Sequence, residues 1–210
     1  MVFIHINTND MNTSDTQTLI GNIQEDPREG HNPFSARAQR AAVLEFCTLN
    51  GWNNVIAVTL SFRQSRTFPI TREQRKALGN VPEYFCGPMS ERLDYDKCTQ
   101  NLRHFMNVIN SKVYGNVFKR YGKRLRFIAV IEGGRGKRLH CHAAIDCPED
   151  FDLDNFQALI KGVWEKTHWG YHEVKLVADS DHGWLDYMMK LRDKEHYDLS
   201  IDWLNYHNPT

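Results

Sequence analysis

The chain lacks any apolar run approaching the roughly 18 residues of a membrane span. Its start, Met1-Val2-Phe3-Ile4-His5-Ile6, has neither the basic flank nor the long apolar stretch of a secretory leader, so none is expected. It lacks a Cys-x-x-Cys pair. The five cysteines, Cys47, Cys86, Cys98, Cys141 and Cys147, are odd in number, which points to reduced thiols in an intracellular protein and away from a disulfide frame or zinc ribbon. It lacks internal repeats. It also lacks net charge, with 26 basic against 26 acidic side chains, and this argues against a general nucleic-acid coat.

The neutral total hides strong segregation. Residues 112–138 carry nine bases and one acid, Glu132, whereas 146–154 carry Asp146, Glu149, Asp150, Asp152 and Asp154 and no base. A local basic stripe permits a focused phosphate track. Length and a 41% hydrophobic content fit one domain with a real core.

Residues 1–34 are polar and read as an N-terminal arm. The domain is expected over 35–210. Ser35 is placed to cap a helix that ends near Asn50-Gly51, and Val55–Phe62 is β-branched and strand-like. Residues 63–92, punctuated by Pro and Gly, read as an insertion with little regular structure. A helix is expected over 95–113, a strand over 125–132 and, after a Gly-rich turn, a second strand through Arg138–Ile145. A helix over 154–168 capped by Asp152 or Asp154, a strand over 171–178, a helix ending near residue 194 and a polar tail over 195–210 complete the chain. This order predicts an α+β fold, an antiparallel sheet flanked by helices.

On the second hairpin strand His140 and His142 share a face and Cys141 takes the other. If Glu132 pairs opposite His140, then Val130 pairs opposite His142, and Glu132 joins the two imidazoles. Two imidazoles and a carboxylate suit Mn²⁺, or Mg²⁺ under cellular supply, with positions left open for a phosphate oxygen and water. A one-residue slip would send Glu132 to the other face, with Asp146 and Glu173 as fallback acids. About 45 residues on, Tyr187 and Lys190 are three apart in a helix-like segment and would share a face. A metal to polarise a phosphate, a phenol to attack it and an ammonium to offset charge make a mechanism. The bases Lys119, Arg120, Lys123, Arg124, Arg135, Lys137 and Arg138 are the candidate DNA-binding face.

Together, Val58-Thr59-Leu60, His140-Cys141-His142 preceded by Glu132, and Tyr187-x-x-Lys190 resemble the motifs of the HUH endonuclease superfamily. The likeness is greatest to the single-tyrosine nuclease domain of rolling-circle replication initiators of small circular DNA viruses and plasmids. It spans about residues 52–194, with the arm and the 63–92 insertion outside it. The resemblance implies an RRM-like or ferredoxin-like fold and nicking of single-stranded or hairpin origin DNA. It implies a tyrosine that keeps the 5′-phosphate covalently while a 3′-hydroxyl is released to prime synthesis or rejoin a strand. It also implies a cytoplasmic or host-cell setting, no membrane, and a helicase or host polymerase supplied separately. A single-tyrosine transposase or repeat-associated relative shares this chemistry. Conjugative relaxases fit less well, because their nucleophile precedes the histidines. A cupin would match Gly134, His140, His142 and Asp146, but Leu153 stands where its next glycine belongs. A non-catalytic single-strand binding module would leave the trio and Tyr187 without a role.

Overall fold

The computed structural model describes residues 36–49, 52, 54–79, 88–134, 136–178, 180, 182–190 and 200–207. The arm with its Ser35 cap, Arg135 and the segment 191–199 lie outside the described residues.

Four strands form one antiparallel sheet: β1 (Val55–Phe62), β4 (Phe127–Gly134), β5 (Lys137–Asp146) and β6 (Gly170–Val177), in the order β4-β5-β1-β6. The α+β class read from the sequence is the class observed. Alternation gives the sheet two unlike faces. On one, Ile56, Val58, Leu60 and Phe62 of β1 and Cys141, Ala143 and Ile145 of β5 are buried. They lie under α3 (Tyr95–Tyr114) and α5 (Leu153–Trp164), which contribute Leu102, Phe105, Ile109, Phe156, Ile160 and Trp164. Asp152 caps α5 by accepting from the Asn155 N–H at 2.9 Å. The helix stops at Trp164, short of the expected 168. The thiols of Cys98, Cys141 and Cys147 are free and buried, and burial pushes each above its ordinary pKa.

On the opposite face a smaller apolar cluster covers only part of the sheet. Val55, Ile128, Val130 and Ala144 pack with Leu185, Met188, Met189 and Ile201, against Val43 and Leu44 of α1 (Ala36–Leu49). Leu185 and Met188 belong to α6 (His182–Met188). The rest of this face is polar and open, and there the candidate site lies.

The 63–92 segment is more regular than its composition indicates. Strands β2 (Ser65–Phe68) and β3 (Met89–Arg92) pair as a separate two-stranded ribbon, with α2 (Arg72–Ala77) between them. Thr71 and Gln74 close a reciprocal capping box that starts α2 although no residue of that helix is buried. A short helix not expected from the sequence, α4 (Asn116–Tyr121), precedes β4.

The tail is not merely polar trim. Residues 201 and 207 make bridges to Val130 and Phe127, so the chain end lies along β4, the outer strand of the sheet. Asp202 is carried inward there and is only 5% exposed. Burial raises its carboxyl from 3.8 to about 6, against hydrogen bonds from Asn205 that lower it. The folded state therefore holds this proton more tightly than the unfolded chain does. The stability linked to it is complete below about pH 3.8 and is lost as pH rises through about 6. A shift of this size corresponds to roughly 3 kcal/mol. The stability of Asp202→Asn relative to wild type should therefore rise by about that much from pH 4 to pH 8. Urea unfolding at both pH values checks this; an unchanged difference would mean that the carboxylate is not penalised by burial.

Candidate active site

The hairpin takes the register that brings the acid to the histidines. Glu132 is opposite His140 and Val130 is opposite His142. A bulge between Glu132 and Gly134 accommodates Gly133. Gly133 has φ +122°, and a Cβ there would lie 2.6 Å from the Arg138 carbonyl oxygen, so only glycine fits beside the acid.

One ligand atom from each of Glu132, His140 and His142 lies within 4.8 Å of the others. Both imidazoles aim Nε2 at the same carboxylate oxygen, at 3.8 Å for His140 and 3.7 Å for His142. The opposite ring nitrogens are engaged. His140 Nδ1 is 3.1 Å from the Arg138 carbonyl, which can only accept, so Nδ1 carries the proton and Nε2 keeps its lone pair. His142 Nδ1 lies 3.0 Å from Thr59 Oγ1, because Thr59 is the cross-strand partner of His142 on β1. Donation from that nitrogen leaves the second Nε2 free as well. Glu132 is 3% exposed. A buried carboxylate and two oriented, lone-pair-bearing nitrogens form a donor set that fits a divalent cation. Asp146, a fallback acid, lies elsewhere on the sheet, where it accepts from the Asn54 N–H and pairs with Arg126. Glu173 does line the site, within 3.5 Å of the Ser61 hydroxyl.

Helix α6 delivers the phenol and the ammonium. The Tyr187 ring packs edge-on to His142, with centroids 5.3 Å apart, and stacks on Trp184 at 5.2 Å. Tyr187 is 46% exposed, so it borders both the trio and solvent. Lys190 does not share a helix face with it, since α6 ends at Met188 and Lys190 follows in a turn. The turn still folds it back. Its Nζ lies 4.0 Å from the Tyr187 ring centroid and 3.5 Å from the Glu132 carboxylate. Burial alone would lower the Lys190 pKa, but the Tyr187 hydroxyl and the Glu132 charge outweigh it and the net shift is upward. Lys190 is thus an ammonium at neutral pH.

Trio, phenol and ammonium line one cleft of about 320 Å³ with Thr59, Lys137 and Lys175. Of the candidate DNA-binding bases, Lys137 lies in this cleft and Arg138 lies at the adjoining end of the sheet. Lys119, Arg120, Lys123 and Arg124 precede the start of β4, five residues or about 17 Å along the strand from Glu132. There Lys123 stacks on Tyr114, and Arg124 contacts Phe118 and Asn107. The structure does not bring these four to the trio.

The arrangement of site residues falls within a recognised sequence family. The family model for replication-associated proteins of the ORF2 type matches residues 88–196, just over half of the chain, and spans Glu132, His140, His142, Tyr187 and Lys190. The chain belongs to this family. Membership ties it to DNA replication. No curated protein and no solved structure gives a significant match. Among the described residues, no helix is long and apolar enough to cross a membrane.

Two positions in this replication-associated protein were not marked as site residues by the sequence motifs. Lys175 reaches the cleft because it pairs with Thr59 across β1. Arg40 of α1 donates from Nε to the Met189 carbonyl at 2.8 Å and pairs with the Asp186 carboxylate, and so grips α6 on both sides of Tyr187. Neither contact has a sequence signal, because each joins distant segments. Thr59, by contrast, sits in the first motif, and its bond to His142 gives it a role. Thr59→Val keeps shape and removes the hydroxyl. It should weaken divalent-ion affinity by about 10- to 100-fold while leaving the fold intact. Calorimetric titration with Mn²⁺ measures this, and wild-type affinity in the variant would show that His142 needs no such partner.

Proposed function

We propose that this protein nicks and rejoins a DNA strand through a tyrosine-linked intermediate, as an HUH-type endonuclease that initiates rolling-circle replication. One observation carries the reading: Tyr187 and Lys190 meet the Glu132–His140–His142 trio in a single cleft. Family membership supports the replication role.

A divalent ion, Mn²⁺ or Mg²⁺, held by the trio would supply Lewis-acid stabilisation at a nonbridging phosphate oxygen. The remaining chemistry belongs to the chain. The Tyr187 oxygen attacks phosphorus, forming the O–P bond as the P–O3′ bond breaks. The phenol loses its proton to water at its exposed edge, and the departing 3′-oxygen gains one. The phenol pKa of about 10 makes charge stabilisation necessary. Lys190 sits over the ring and offsets the developing phenolate or the phosphate charge. Lys137 and Lys175 hold the flanking backbone. Attack by the 3′-hydroxyl on the phosphotyrosine reverses the step and rejoins the strand. The substrate under this reading is single-stranded or hairpin origin DNA, with unwinding and synthesis supplied by other proteins.

Incubation with 5′- and 3′-labelled single-stranded origin DNA and Mn²⁺, followed by denaturing electrophoresis, tests the proposal. A protein band that retains label from the 3′-side fragment supports it. Binding without cleavage or adduct would leave a plain single-strand binding module.

A further inference from the structure

We propose that the end of the sheet beside the trio is a base-stacking subsite for single-stranded DNA, built by Tyr171 and His172 with Arg138 and Arg63. The inference rests on the proposed function, which lays a strand across this face, and it names the groups that grip the next nucleotide.

The placement follows from the strand repeat. Arg138 stands two residues before His140 on β5, and Tyr171 two before Glu173 on β6, so both continue the face that carries the site. β5 and β6 are each antiparallel to β1, so both steps run the same way. One repeat is about 7 Å, comparable with the step between neighbouring phosphates of an extended strand. The Arg138 guanidinium lies 5.1 Å over the Tyr171 ring, and the Tyr171 and His172 rings are 4.0 Å apart. Arg63, Arg138, Tyr171 and His172 line one open cleft of about 660 Å³, with Glu165 the one acid on its wall.

The rim is held in place before any ligand arrives. β1 ends at Phe62, and the Gln64 side chain takes over its pairing with β5. Gln64 Nε2 donates to the Leu139 carbonyl at 3.0 Å and to the Phe62 carbonyl at 2.9 Å, and Gln64 Oε1 accepts from the Leu139 N–H at 2.8 Å. The Arg63 N–H donates to the Trp169 carbonyl at 2.9 Å. An aromatic pair with two guanidiniums on a fixed rim suits a stacked base with its phosphate, and a π-face accepts any base. An isolated surface arginine–tyrosine pair would have no need of the fixed rim or of alignment with the trio.

The test is fluorescence anisotropy without divalent ion, using labelled dT20 and an abasic strand of equal length. Wild type should bind dT20 more tightly than the abasic strand. Tyr171→Leu should weaken dT20 binding about tenfold and leave abasic binding unchanged, and Tyr171→Trp should restore the loss. Arg63→Ala with Arg138→Ala should weaken both probes and flatten the salt slope. No base preference in wild type, or a Tyr171→Leu protein that is folded by circular dichroism and binds dT20 normally, would overturn the subsite. An adduct formed by wild type without any Tyr171 effect on binding would remove the subsite and leave the nicking proposal standing. A Tyr171-dependent base preference without any adduct would do the reverse.

Discussion

Tyr187→Phe should abolish the covalent DNA adduct while the protein still folds and still binds single strands. The substitution removes one oxygen. It keeps the ring that stacks on Trp184 and packs against His142, so the local packing survives. Removing a nucleophile leaves only background reaction, and the expected fall in cleavage rate is at least about four orders of magnitude. Lys190→Ala should act differently. The ammonium assists with charge and forms no bond to phosphorus, so the adduct should still form, only more slowly. A Phe variant that cleaves normally would remove Tyr187 from the chemistry, whatever the trio binds.

The second large effect concerns the trio. His142→Ala should lower divalent-ion affinity by more than about 100-fold, because the loss of a ligand exceeds the effect of losing its positioning partner. Cleavage should fall with it. Glu132→Gln is the sharper variant, since it keeps size and buried position and removes only the charge. It should also lose metal affinity, and high Mn²⁺ should recover part of the activity. Glu173→Gln is the control, because that acid lines the same cleft from β6. If Glu132→Gln binds Mn²⁺ normally and Glu173→Gln does not, the carboxylate ligand has been assigned to the wrong strand.

Much of this was legible because it depends on period-two alternation and turn chemistry. His140 and His142 on one face, Cys141 on the other and Glu132 opposite His140 all follow once the Gly-rich turn sets the hairpin. Glu132 holds its place because Gly133 takes a conformation closed to other residues. Other features were not legible, each for a physical reason. The basic run over 112–138 is continuous in sequence, but β4 lies within it and carries its two ends to opposite ends of a strand. The turn to Lys190 is a tertiary matter, since Arg40 takes the Met189 carbonyl from a helix some 150 residues earlier. The ribbon within 63–92 forms from alternating pairs and a capping box, whose signals Pro and Gly obscured. The tail's contact with β4 needs only two bridges, too few to leave a periodic pattern.

The most direct test of the account is to digest the trapped protein–DNA adduct and locate the nucleotide by tandem mass spectrometry. The account predicts a single modified peptide carrying the nucleotide phosphate on Tyr187, formed only when a divalent ion is present and absent from His140→Ala protein. A nucleotide on Tyr171, Tyr197 or Tyr206, or an adduct that forms equally well in EDTA, would contradict it.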